Sequence, residues 1–216
     1  MRVEGHVGPS TTVDGQEGVA LRQGKSAELV ITQLHGKYYE QVSRGNTYYG
    51  MSATGGIALI VAATGGGHPM LFNPMGSNVN LSVTHLYLSW CSGACVPGGI
   101  FWAYVLNAGA SQATAAPIAT ATYVASVNAL LGSQRVAKGL WSPTTNTFTT
   151  TAPVLFMGTG IGMTTMISSS TGNPNPLVVA YDGTLVVSPG NAICLVHSAA
   201  NTALFNVTVV WEEVPI

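Results

Sequence analysis

Charge is what this chain has least of. Of its 216 residues, only 7% are Asp, Glu, Lys or Arg, against roughly 25% in a typical soluble domain. From Gly45 to Gln134 there is none at all. The net charge is −1, so no basic field exists to draw nucleic acid and no acidic one to repel it. Long apolar runs are missing too. The best candidate, "GIALIVAA" at 56–63, is far shorter than the roughly 18 to 20 residues a membrane helix needs. The start "MRVEGHVGPSTTVDGQEG" is polar throughout, without the basic and apolar segments of a signal peptide, and sets the expectation of a cytoplasmic chain. Cysteine is scarce. Cys91, Cys95 and Cys194 make an odd count, which argues against a disulfide framework. "WCSGACVPGG" leaves a Cys91–Cys95 bridge open, but free thiols are the expectation, and two thiols with no second pair make a weak metal site.

Low charge has three usual meanings: disorder, membrane or burial in an assembly. Disorder goes with low hydrophobicity and high net charge, and this chain is 47% hydrophobic. With the membrane also disfavoured, burial against other subunits is left.

The charges that do occur are unevenly placed. Residues 1–44 hold ten of the fifteen, and the remainder are Arg135, Lys138, Asp182, Glu212 and Glu213. This shift divides the chain into an extended N-terminal arm, 1–45, and a body, 46–216. The arm is rich in turn-formers, with one short strand candidate, "ELVITQL" at 28–34. The body reads as β throughout. "NLSVTHLYLSW" (80–90) and "ALFNVTVVW" (203–211) alternate with period two, which puts Phe205, Val207, Val209 and Trp211 on one face. "GIALIVAA", "IFWAYVL", "PVLFMG", "LVVAY" and "TLVVS" are further runs of strand length. The last two flank Asp182–Gly183 and predict a hairpin. The sole helix candidate is "TYVASVNALLG" around 123–132. Eight to ten short strands separated by Gly/Pro clusters predict an all-β, two-sheet sandwich, most simply a jelly roll.

Groups for chemistry are few. Glu212 and Glu213 are adjacent, and neighbours in a strand point to opposite faces, so they make a poor glycosidase pair. Asp182 is accounted for by its turn. His6, His35, His68, His85 and His197 lack the spacing of a metal site, and His85 reads as a core or interface residue. "GTGIGMTT" lacks the lysine of a phosphate loop. No catalytic residue, cofactor or metal is expected.

What stands out instead is "LHGKYYEQVSRGNTYYG", 34–50. Tyrosine pairs a rigid apolar ring with a polar tip, and arginine brings a planar fork of donors. Both are enriched where proteins dock on proteins. Tyr38, Tyr39, Glu40, Arg44, Tyr48 and Tyr49 are therefore the candidate partner-binding residues. A body this poor in charge suits packing against identical copies, and a homotrimer is expected.

The runs "LRQGKSAELVITQLHGKYYEQVSRGNTYYG", "LFNPMGSNVNLSVTHLYLSW" and "TLVVSPGNAICLVHSAANTALFNVTVVWEEVPI" resemble virion structural proteins of tailed bacteriophages, of the decoration, cement or head-fibre kind. The resemblance implies a jelly-roll body, a homotrimer and attachment to the major capsid protein or another virion protein. It also implies a place in the virion, after assembly in the bacterial cytoplasm, with neither nucleic acid nor membrane as partner. The alternative is a carbohydrate- or receptor-binding jelly-roll module of a fibre or tail, with Trp90, Trp102, Trp141 and Trp211 as stacking platforms.

Overall fold

The two alternating stretches become the two longest strands of the protein and lie side by side. A computed structural model gives the fold and describes residues 5–6, 21–22, 36–61, 66–105, 118–144, 146–148, 153–163, 177–200 and 202–216. The chain divides into two compact units, Met1–Glu40 and Gln41–Ile216. In the first, β1 (Gly5–His6) and β2 (Leu21–Arg22) form a short parallel pair. The strand expected at 28–34 lies outside the described residues. The helix α1 (Tyr39–Ser43) follows. Among the described residues no helix is long and apolar enough to cross a membrane.

After the end of α1, the described residues of the second unit are β strands and their connections. Its strands are β3 (Thr47–Met51), β4 (Ile57–Ala58), β5 (Met70–Phe72), β6 (Val79–Ser92), β7 (Gly98–Val105), β8 (Ile118–Ala121) and β9 (Val127–Asn128). Then come β10 (Leu140–Ser142), β11 (Asn146–Phe148), β12 (Val154–Met163), β13 (Leu177–Val187), β14 (Ala192–His197) and β15 (Leu204–Pro215). One sheet has the order β13-β6-β15-β3-β9, with β4 added on β15; the other runs β10-β5-β14-β7-β12. Between β3, β5, β6, β7, β12, β13, β14 and β15, every connection but β7 to β12 crosses from one sheet to the other.

The two sheets enclose one core. β15 contributes Phe205, Val207, Val209 and Trp211, as the alternation predicts. Leu81, Val83, Leu86 and Leu88 come from β6, and Leu71, Ile100, Trp102, Ile193 and Leu195 face them from the other sheet. Each such side chain, fully buried, contributes about 1.5–3 kcal/mol. The inward series of β6 skips a residue between Val83 and Leu86. A register shift against β15 lies there, and the Thr84 hydroxyl donates to the Val210 carbonyl at 3.2 Å. β14 is buried along its whole length. Its other face (Ala192, Cys194, Val196) packs with Met70, Ala103 and the pair β8–β11, through Ile118 and Phe148.

Two expectations fail. Residues 123–132 form no helix: Val127 and Asn128 pair with Tyr49 and Tyr48 as β9, and the rest is irregular. The β-branched side chains there lose rotamer freedom in a helix and gain cross-strand contacts in a sheet. Nor does Asp182–Gly183 close a hairpin. Leu177–Ala180 and Leu185–Val187 both pair with β6 and continue in one direction, so Tyr181–Thr184 is a wide bulge in a single strand. The residues still meet the conformational demand, with φ of 47° at Asp182 and 86° at Gly183. The turn throws the chain outward and back instead of reversing it.

Candidate protein-docking surfaces

The six residues singled out in the sequence do not form one cluster. In the first unit the Lys37 ammonium sits 5.2 Å from the Tyr38 ring centroid, a cation–π distance. The Tyr39 amide donates to the Gly36 carbonyl at 2.9 Å, its ring half exposed, and Glu40 is exposed in the first turn of α1. In the second unit Arg44 is exposed just before β3. Tyr48 is not a surface residue. It is 3% exposed and stacks on Trp211 at 6.2 Å. Burial, and after it the Glu213 carboxylate, push its phenol pKa above the ordinary value. Strand alternation is the reason: with Tyr48 turned into the core, Tyr49 must turn out. Gly50 follows because a Cβ there would lie 2.7 Å from the Trp141 ring.

Tyr49 belongs to a surface that the sequence reading did not assemble, the outer face of the β13-β6-β15-β3-β9 sheet. Pairing sets Met51, Thr208, Tyr87 and Val178 in one row across four strands, with Tyr49, Val210, His85 and Ala180 in the next. Met51 is 57%, Tyr87 40% and Val178 55% exposed. His85 stacks on Tyr87 at 5.8 Å. Neither row holds a charge. The signal was present in "HLYLSW", where Leu86 and Leu88 inward require Tyr87 outward.

Three of the body's five charges, Arg135, Lys138 and Glu213, gather elsewhere. Arg135 Nη1 donates to the Arg44 carbonyl and, at 2.8 Å, to Asn46 Oδ1. Glu213, almost wholly buried, accepts the backbone N–H groups of Lys138 and Gly139 at 2.6 and 2.8 Å. These contacts fix the 129–139 connection against the start of β3 and the end of β15. Asn128 adds to them, its amide donating to the Gly45 carbonyl and its oxygen accepting the Leu130 N–H, both at 2.9 Å.

Catalytic candidates stay apart. Among the described residues no group of three or more His, Cys, Asp or Glu is placed to hold a metal. Cys91, Cys95 and Cys194 are free, and burial raises the thiol pKa of Cys95 and, far more, of Cys194. Trp102, Trp141 and Trp211 are fully buried, and Trp90 is half-buried with its N–H on the Gly93 carbonyl at 3.1 Å. No family model, curated protein or solved structure matches the chain.

Proposed function

We propose that this protein is a non-enzymatic structural subunit of a tailed-bacteriophage particle, of the decoration or cement kind, which self-associates and attaches to the head. The observation that carries the reading is the pair of uncharged rows on the outer sheet face, with Tyr49, Met51, Tyr87 and Val178. A neutral surface of exposed aromatic and apolar side chains is typical of a face that meets another protein. The strand order adds support. Counted among themselves, the eight strands β3, β5, β6, β7, β12, β13, β14 and β15 run 1-8-3-6 in one sheet and 2-7-4-5 in the other, which supports a jelly roll, an architecture used by viral capsid proteins. Jelly rolls also serve lectins and cupins, so that step is fold analogy. The sequence resemblance to virion proteins points the same way. The burial of Trp102, Trp141 and Trp211 removes three of the four stacking platforms a sugar-binding module would use.

The test is made on particles. An antibody to the purified protein should find it in gradient-purified phage particles from the source, at a copy number that fits the head lattice. Recovery only in the particle-free fraction overturns the reading. In reconstitution, Tyr87→Asp should abolish attachment while moving the melting temperature by only a few degrees. Attachment that survives in that variant moves the docking face elsewhere, with the Tyr38, Tyr39 and Glu40 segment next to be tested.

A further inference from the structure

The sandwich has two open edges, and they differ in shape and in charge. At one, β12 and β13 end their sheets and flank a cleft of about 510 Å³ lined by Tyr104, Phe156, Thr184, Val186 and Ile193. Tyr104 and Phe156 meet edge to face at 6.0 Å, and both stay partly exposed. The one charged residue of these two strands, Asp182, stands exposed on the bulge of β13. At the other edge, β9 and β10 end the same two sheets, and the connection between them projects apolar side chains outward. Leu131 is 83% and Val136 85% exposed, the two most exposed large apolar side chains among the described residues. The exposed charges of this connection, Arg135 and Lys138, are both positive.

A loop that presents two apolar side chains to water would ordinarily be mobile. This one is held at both ends, by Asn128 on Gly45 and by Arg135 on Arg44 and Asn46, and the Ser133 N–H donates to the Leu130 carbonyl at 3.0 Å. It is a preformed projection, so little ordering entropy is lost when it is bound. The cleft has room for such side chains, and the loop's two cations are opposite in sign to Asp182, which lies on the β13 bulge two residues before the cleft-lining Thr184. We infer that the occupant of the cleft is the 129–139 loop of a second copy of this chain. The association is head to tail: Leu131 and Val136 of one copy enter the cleft at Tyr104 and Phe156 of the next, and Lys138 approaches Asp182. Such a contact uses two different patches on each copy and closes into a ring when the rotation allows it. This rests on the proposed self-association and adds the surfaces that carry it.

The test uses two variants of the full chain, Val136→Asp on the loop and Phe156→Asp in the cleft, each checked for native circular dichroism and melting temperature. If either fails to fold, Leu131→Asp or Val186→Asp replaces it. An unpaired carboxylate buried in an apolar contact weakens it strongly, so each variant alone should sediment as a monomer where the unaltered chain is an oligomer. Mixed in equal amounts, the two should form a dimer and nothing larger, because one intact loop and one intact cleft remain. If both variants still oligomerise, if only one dissociates, or if the mixture stays monomeric, the head-to-tail contact is overturned while self-association stands. An unaltered chain that is monomeric at high concentration overturns self-association and this contact together.

Discussion

Trp102 on β7 and Tyr181 on β13 join the two sheets across the core, the indole N–H donating to the phenol oxygen at 2.7 Å, with the rings edge to face at 6.2 Å. Tyr181 reaches this position from the first residue of the β13 bulge, so an irregularity in one sheet ties it to the other.

Tyr181→Phe keeps the ring and removes the acceptor, which leaves a buried indole N–H unsatisfied. The expected cost is about 1–3 kcal/mol, read as a lower urea midpoint with an unchanged slope. An unchanged midpoint would mean that water replaces the phenol oxygen.

Stability should fall on the alkaline side. Burial is the main cause that raises the Tyr181 phenol from 10.0 to about 12, with the Trp102 hydrogen bond opposing it. Between those values the unfolded chain has released a proton that the folded chain still holds. The contribution is therefore present in full below pH 10 and is lost as the pH rises to about 12. The buried Cys194 thiol, also raised by burial, acts in the same direction from its ordinary value of 9.0 upward. Melting temperatures should be flat near neutrality and drop above pH 9, and the drop should be smaller in Tyr181→Phe.

Two glycines should respond differently to alanine. At Gly50 the new Cβ meets the Trp141 ring at 2.7 Å, and Trp141 is fully buried with its N–H bonded to the Met51 carbonyl at 3.0 Å. It has nowhere to retreat, and overpacking of this kind costs about 1–3 kcal/mol. At Gly183 nothing lies within 4 Å, but φ is +86°, so the cost is conformational and about 1 kcal/mol. Denaturation curves should rank Gly50→Ala as the less stable variant.

Much of the sandwich is readable from spacing. Phe205, Val207, Val209 and Trp211 share a face as their alternation requires. The unbroken alternation expected over 80–90 does not hold: the inward residues of β6 run 81, 83, then 86, 88, which no unbroken strand can place on one side. "AICLVH" reads as continuously apolar because both its faces are covered. The Asp182–Gly183 bulge was not legible. Local turn preference is the same for a hairpin and for a bulge, and only the pairing of both flanks with β6 decides between them. The candidate site was legible in half. That Tyr48 and Tyr49 must face opposite ways follows from the strand alone. That Tyr87 and Val178, far apart in the chain, complete the face around Tyr49 depends on long-range register. So does the place of β12 and β13 at the edge opposite β9 and β10.

The last prediction separates shape from contact in self-association. Arg135 is placed to hold the 129–139 loop, since its guanidinium donates to the Arg44 carbonyl and to Asn46 Oδ1, while in the proposed association Leu131 and Val136 supply the apolar contact. Arg135→Ala should therefore leave the core intact, because none of its members depends on Arg135, and the melting temperature should move by only a few degrees. Hydrogen exchange across 129–139 should rise, because a solvated loop with fewer anchors opens more often. Self-association should weaken, because ordering that the anchors provide in advance must now be supplied on binding. Arg135→Lys provides the control. It keeps the positive charge opposite Asp182 but loses the two-pronged geometry that reaches both acceptors. If charge attraction dominates, Arg135→Lys should associate like the unaltered chain. If loop positioning dominates, as the two hydrogen bonds indicate, it should associate like Arg135→Ala and exchange as fast. Faster exchange in Arg135→Ala with unchanged association would show that preordering of the loop does not limit the contact.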